Sequence, residues 1–223
     1  MVDDVTHPVV SRARELVPLI KSHTAYSEEH RALHPEVVDA CAAAGLFRLV
    51  APIEAGGPEA PLHDAFHAVE IIAAADPAVS WYLSNSSVVS ILTARMTPSV
   101  RDRVCSSDRN FGFSAAMGSA TPTEGGYLLS GTWPLMTGVL DADWAVVMGR
   151  VRREDAPTEV QMFVIPTDAL DIEPVWNDAV AMRGTGSHRV STRDTFVEEG
   201  LVFSGTSPNV IDRPMFRICL LYT

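Results

Sequence analysis

Seven histidines are the first residues that could hold a metal: His7, His23, His30, His34, His63, His67 and His188. Only His63 and His67 stand at the i, i+4 spacing that puts two imidazoles on one helical face. A zinc helix of the His-Glu-x-x-His kind needs a glutamate after the first histidine, and position 64 is Asp64. The pair reads as a partly exposed helical couple, and no metal is expected. Nucleophilic chemistry finds no better footing. Gly-x-Ser-x-Gly does not occur, and Gly118-Ser119 and Gly186-Ser187-His188 lack its spacing. There is no P-loop lysine motif and no complete GxGxxG.

Three stretches remain. In Ala116-Met117-Gly118-Ser119-Ala120-Thr121-Pro122, small residues would let backbone N–H groups approach a phosphate or a flat ring. The same stretch also reads as a plain β-hairpin loop. In Ser130-Gly131-Thr132-Trp133-Pro134-Leu135-Met136-Thr137-Gly138, an indole and a hydroxyl four residues apart flank a proline. An aromatic plate beside a hydroxyl donor suits a planar heterocycle; a buried core tryptophan and a turn threonine fit equally. Arg183-Gly184-Thr185-Gly186-Ser187-His188 is a glycine-spaced loop before a strand, either structural or facing a ligand.

The elements that must carry these stretches change character near Asp108. Before it the pattern is helical. Pro8 opens a helix running towards His30, which Pro18 should kink or split. A second helix covers 36–44 and stops at Gly45. A third starts at Pro61 and ends before Asp76-Pro77. A fourth runs over 78–96, and Thr97 caps a short fifth ending near Cys105. After Asp108 the period drops to two. Strands are expected over 111–116, 127–131, 144–151, 160–165, 170–176 and 189–197, with a strand–turn–strand at 197–203. Helices followed by strands imply an α+β, two-domain chain: an all-α domain over 1–107, an antiparallel β-barrel or sandwich over 108–206, and a lead-in segment over 207–223.

The 223 residues carry a net charge of −11 and are 47% hydrophobic and 20% charged. The chain can bury a sizeable core. Its acidity argues against nucleic acid and anionic membrane as partners. The start, Met1-Val2-Asp3-Asp4, is acidic where a secretion signal would be basic. No segment reaches the ~18 apolar residues of a membrane helix. The odd, widely spaced Cys41, Cys105 and Cys219 read as reduced thiols of a cytoplasmic protein.

Taken in order, the motifs resemble one family. Pro35-Glu36-Val37-Val38-Asp39-Ala40, Ala44-Gly45-Leu46-Phe47-Arg48, Pro52 and Gly56-Gly57 are similar to the N-terminal helical domain of acyl-CoA dehydrogenase-like flavoproteins. Gly125-Gly126-Tyr127-Leu128-Leu129-Ser130-Gly131-Thr132-Trp133 and Ala142-Asp143-Trp144 resemble their middle β domain. Ala181-Met182-Arg183-Gly184-Thr185-Gly186-Ser187-His188 and Asp194-Thr195-Phe196-Val197 resemble its close. The dehydrogenases' Thr-Glu-Pro and Gly-Ser-Asp signature is absent at 115–122. Trp133-Pro134-Leu135-Met136-Thr137-Gly138, with Ser80-Trp81, looks more like the flavin-dependent monooxygenases built on the same fold.

The resemblance implies FAD or reduced FMN as cofactor. It assigns Gly118, Ser119 and Ala120 to the pyrophosphate, and Trp133, Thr137 and Gly138 to the flavin ring. Trp81 and Asn85 on the fourth helix are assigned to substrate. It implies a flavin-dependent oxidoreductase that takes reduced flavin from a separate reductase and oxygenates a small organic substrate in a site closed to water. The alternatives are an FAD-dependent acyl-CoA dehydrogenase, and an inactive flavin-binding or interaction protein. Family members continue into a C-terminal helical bundle that carries the catalytic base and builds a tetramer. The catalytic residue is therefore not assigned here, and a homo-oligomer is expected. The fourth helix, with Val79, Leu83, Val88, Val89, Ile91 and Leu92, and the segment Met215, Phe216, Ile218, Leu220, Leu221 and Tyr222 are expected to expose apolar surface.

Overall fold

The computed structural model describes residues 7–153 and 156–217. Five helices come first: α1 (Pro8–His30), α2 (Pro35–Ala43), α3 (Leu62–Ala73), α4 (Pro77–Ser90) and α5 (Pro98–Val104). Prolines open α1, α2, α4 and α5, where the missing N–H costs no helical bond. Asp76 caps α4, its carboxylate accepting the Ala78 N–H at 2.8 Å. Gly45 follows α2 in the left-handed region at φ 72°. Two expectations are corrected. Pro18 does not split α1; it lies on the exposed face, where the carbonyl left without its helical N–H can reach solvent. Thr97 makes no side-chain cap on α5; its hydroxyl meets Ser99 instead.

Seven strands follow: β1 (Phe111–Thr123), β2 (Gly126–Met136), β3 (Trp144–Arg153), β4 (Ala156–Pro166), β5 (Asp171–Glu173), β6 (His188–Glu198) and β7 (Val202–Phe203). They form one sheet in the order β5-β6-β2-β1-β3-β4-β7. All neighbours are antiparallel except β1 and β3, which run parallel. The sheet is thus mostly antiparallel, as expected, with one parallel pair at its centre. The chain leaves β2 through the turn at Gly138 and crosses β1 before β3 begins.

The small-residue stretch 116–122 is strand, not loop. Ser119 and Ala120 pair with Ser130 and Leu129 of β2 on one side and with Arg150 and Val151 of β3 on the other. Pro122 is tolerated because the β3 ladder ends at Ala120 and leaves no donor required there. Past Ser119 and Ser130 the β1/β2 ladder stops, and it resumes only as a bridge between Phe113 and Thr137. In this gap β1 bulges at Ala115–Ala116 against β3. β2 is irregular between Trp133 and Met136, where Pro134 has no N–H and Leu135 sits at φ 58°.

Two apolar cores result, and α4 serves both. Val79, Tyr82 and Leu83 pack with α1, α2 and α3, whereas Val89 and, just beyond the helix, Leu92 pack among the strands. The expected uncovering of this helix is therefore corrected. Val79, Leu83, Val89 and Leu92 are buried by the two flanking units, and only Val88 of that set is exposed. Phe216 is also buried, in a turn anchored by Arg213 on Glu54 and Glu59; residues 218–222 lie outside the described region. Cys41 is buried, and its thiol is pushed up to about 12 by desolvation, so it is unreactive.

At the centre of the β core the indole of Trp133 is fully buried and donates its Nε1–H to the Met148 carbonyl at 2.9 Å. Two glycines make room for it. A Cβ on Gly118 would lie 2.4 Å from Trp133 Cζ2 and 2.9 Å from the Ser130 carbonyl. Gly118→Ala is expected to cost about 1–3 kcal/mol through overpacking against backbone that cannot yield. Gly205→Ala, with nothing within 4 Å, is expected to fall within about 0.5 kcal/mol of the parent. Chemical denaturation midpoints of the two variants check this.

Candidate active site

Where the ladders part, a cleft of about 710 Å³ opens between the sheet and the helices. One wall is α4, through Trp81 and Asn85. The second is the bulged backbone of β1 and β2, with Phe113, Ser114, Pro134 and Leu135. The third is the connection between β5 and β6, with Trp176, Met182, Thr185 and Ser187. That connection is tied to α1 from outside: Arg31 donates to the Trp176 carbonyl at 3.1 Å, and Gly184 fits against Ser27, where a Cβ would approach to 2.8 Å.

At the inner end of the cleft three buried hydroxyls form a chain. Thr137 Oγ1 and Ser187 Oγ are 3.0 Å apart, and Thr185 Oγ1 and Ser187 Oγ are 2.9 Å apart. Three hydroxyls share two hydrogen bonds, which leaves one O–H of the chain free to donate. The rest of the lining is mostly apolar, and no lining residue carries a carboxylate, imidazole or thiol. His188 follows directly. It is buried, its Nδ1 has no partner, and burial lowers its pKa, so it is neutral at physiological pH.

The Thr137–Gly138 turn is held from below. Tyr82 of α4 donates to Asp141 Oδ2 at 2.8 Å and lies 3.3 Å from the Gly138 carbonyl, which also accepts from Asn110 Nδ2 at 2.9 Å. Gly138 has φ 75°, and a Cβ there would meet Asn110 and Tyr82 inside 3 Å. Burial raises the pKa of Tyr82 well above its ordinary value, and the charge of Asp141 raises it further. Burial also raises Asp141, against the lowering effect of the Tyr82 hydrogen bond.

Of the residues singled out in the sequence, Trp81, Asn85 and Thr137 line the cleft together. Trp133 does not. Its indole is fully buried in the β core with its N–H on the Met148 carbonyl. Gly118 and Ala120 are buried; Ala120 is paired with both β2 and β3, whereas Gly118 is paired with β3 alone, at the point where the β2 ladder stops. Ser119 is exposed, with its hydroxyl on the Ser130 carbonyl at 3.3 Å. Gly138 acts through the turn it permits. Thr185 and Ser187 lay in a stretch whose sequence left both roles open. Tyr82, Asp141 and Trp176 carried no signal, because each matters only through a contact distant in sequence.

Residues 11–106 match the acyl-CoA dehydrogenase N-terminal domain. Over that range the chain is similar to the acyl-CoA dehydrogenase-like flavoproteins. Its relatives there include the oxygenase subunit HsaA of a flavin-dependent monooxygenase from Rhodococcus jostii, 31% identical over 87% of this chain and 52% of the relative. A pigment production hydroxylase from a Rhodococcus species is 27% identical over 98% of this chain and 59% of the relative. Among solved structures, a 3-HSA hydroxylase from Rhodococcus superposes with a TM-score of 0.89 at 29% identity, over 96% of this chain and 58% of the other. XiaF from Streptomyces, in complex with FADH2 and glycerol, gives 0.84 at 29%, over 95% and 56%. The chain thus spans about half the length of the curated relatives it matches. Among the described residues no helix is long and apolar enough to cross a membrane.

Tyr82→Phe is expected to destabilise the fold by about 2 kcal/mol, because it strips a buried carboxylate of its donor. The Tyr82 bond holds the Asp141 pKa down, and without it the carboxyl rises further above its unfolded value. The penalty is therefore full where Asp141 is ionised and shrinks as pH falls through its titration. Thermal unfolding of both proteins between pH 7 and pH 4 measures this.

Proposed function

We propose that this chain forms the cofactor and substrate cleft of the oxygenase component of a reduced-flavin-dependent monooxygenase acting on a small organic substrate. The observation that carries the proposal is the cleft itself: apolar, planar walls ending in the Thr137, Ser187 and Thr185 hydroxyls, in a chain whose relatives are oxygenase subunits. These features fit an isoalloxazine, which has an apolar edge and a polar edge of hydrogen-bonding atoms. The hydroxyls of Thr137, Thr185 and Ser187 would hold the polar edge, and Phe113 and Trp176 would line the space for the ring. Bound reduced flavin, FAD or FMN, would supply dioxygen activation for the hydroxylation.

This chain's own residues orient and exclude water. Trp81 offers a flat face to a planar substrate. Asn85 gives its amide N–H to the Trp81 carbonyl at 2.8 Å, which leaves its Oδ1 as an acceptor. The apolar walls keep the site dry. Because the lining has no titratable group, the proposal places proton transfer on chain that covers the open side of the cleft, either from the further length found in the relatives or from a second copy. A separate flavin reductase is the proposed source of electrons. A homo-oligomer is the proposed assembly, since Trp81, Leu135 and Leu140 are each at least half exposed around the cleft.

The test is a spectral titration of the purified protein with flavin. Bound flavin that is reduced only through an added reductase and NADH supports the reading. Bleaching by an acyl-CoA alone replaces it with a dehydrogenase, and failure to bind oxidised or reduced flavin overturns it. Thr137→Val is expected to weaken flavin binding about fivefold or more, the worth of one hydrogen bond. Light scattering at low micromolar concentration should give a multiple of the monomer mass; a monodisperse monomer refutes the oligomer.

A further inference from the structure

The corner between α1 and α2 gathers ligand atoms that the sequence keeps apart. His23 lies on α1, while His34 and Glu36 open α2. His23 Nε2 stands 3.2 Å from Glu36 Oε2. The His23 and His34 rings stack at 3.8 Å with 18° between their planes. One ligand atom from each of the three residues lies within 4.8 Å of the others. The rings are held in place. Tyr26 packs edge-on against His34 at 4.6 Å and stacks on His30 at 3.8 Å, and the His23 side chain is only 22% exposed.

We propose that His23, His34 and Glu36 form a binding site for a divalent transition metal of the zinc, nickel or copper class. Two imidazoles and one carboxylate are the donors such ions prefer; calcium and magnesium favour all-oxygen sets. Ligand atoms bound to one tetrahedral zinc lie about 3.3 Å apart, given metal–ligand distances near 2.0–2.1 Å. The His23 and Glu36 atoms are already at that separation; the third, within 4.8 Å, must close by up to about 1.5 Å, with one imidazole turning out of the stack so that both ring planes meet the ion. Three protein ligands leave a coordination position for water or for a fourth donor.

The ion has two competitors at the site, the first being the contact between His23 Nε2 and Glu36 Oε2. In the second, His34 Nδ1 accepts the Glu36 N–H at 3.2 Å as the cap of α2, so coordination through that nitrogen exchanges the cap for the metal. The location gives the site a consequence. The corner it staples contains Arg31, left-handed at φ 56°, whose guanidinium holds the Trp176 carbonyl at the cleft wall. Metal binding therefore fixes the support on which that wall leans. The proposal is independent of the chemistry assigned to the cleft.

The experiment uses the protein stripped with a chelator and titrated with Zn²⁺ by calorimetry, alongside thermal unfolding. One equivalent is expected at this site. Saturation at 100 times the dissociation constant is expected to raise the melting temperature by roughly 5–10 °C. His23→Ala and Glu36→Gln are each expected to weaken binding roughly tenfold or more and to abolish the thermal shift, measured against each variant's own metal-free value. His34→Asn keeps a capping side chain but removes the ligand, which separates coordination from helix stability, and it is expected to behave like His23→Ala. His63→Ala with His67→Ala removes the other histidine pair and is expected to leave this equivalent intact. Binding that survives His23→Ala and Glu36→Gln, or that disappears with the His63 and His67 pair, overturns the proposal, as does the absence of any zinc-dependent shift in the parent.

Discussion

The indole of Trp133 lies where two central strands would otherwise lie flush. Its contact with Gly118 and Gly131, and its N–H bond to Met148, set the shape of everything around it. A ring of that size packed against the adjoining backbones of β1 and β2 needs both glycines. At Gly131 a Cβ would come within 2.8 Å of both the indole and Gly118. Beyond the wedge the strands no longer pair, and they bulge outward at Ala115–Ala116 and Pro134–Leu135. A paired ladder presents a closed surface, whereas the parted one presents a cleft. The tryptophan that sequence inspection places against a ligand instead makes the space the ligand would enter.

The cleft has its remaining shape because the helices are fastened to the sheet by buried polar groups rather than by apolar contact alone. Ser86, fully buried on α4, donates to the Phe47 carbonyl at 2.8 Å and accepts the Phe111 N–H at 3.0 Å, joining helical unit and first strand through one oxygen. Arg48 is buried, gives its guanidinium to the carbonyls of Ser107 and Arg109, and lies over the Phe111 ring at 5.4 Å. Each bond is worth little when made and much when broken, because the partner is left dry and unpaired. They fix the rotation of α4 and hence which side chains, Trp81 and Asn85, face the sheet.

Much of this was legible from residue order. Proline at helix starts, Gly45 after α2, Asp76-Pro77 as a break and the change of period near Asp108 all act locally, so local reading found them. The segment 116–122 misled because glycine and serine usually mark loops. Here the glycine is required by an indole fifteen residues further on, which local composition does not encode. Thr137 was found through its spacing from Trp133, although that indole plays a different part. Thr185 and Ser187 were flagged without a role, since their value comes from meeting Thr137 across some fifty residues. His23, His34 and Glu36 escaped for the same reason: they sit on two different helices, and only the α1–α2 corner closes them up.

The double allegiance of α4 reaches beyond the cleft. Its first half belongs to the helical core and its last residues lead into the β core, while the family match ends at residue 106. That sequence boundary does not coincide with a boundary of packing, since Val89, Leu92 and Met96 before it pack among the strands. A fragment cut there would carry Val89, Leu92 and Met96 with no strands to cover them, and the strands would lose the plug at one end of their own core. The two halves therefore form one cooperative unit, and recombining either half with a relative's requires α4 and the residues around Ser86 to travel with the sheet they seal.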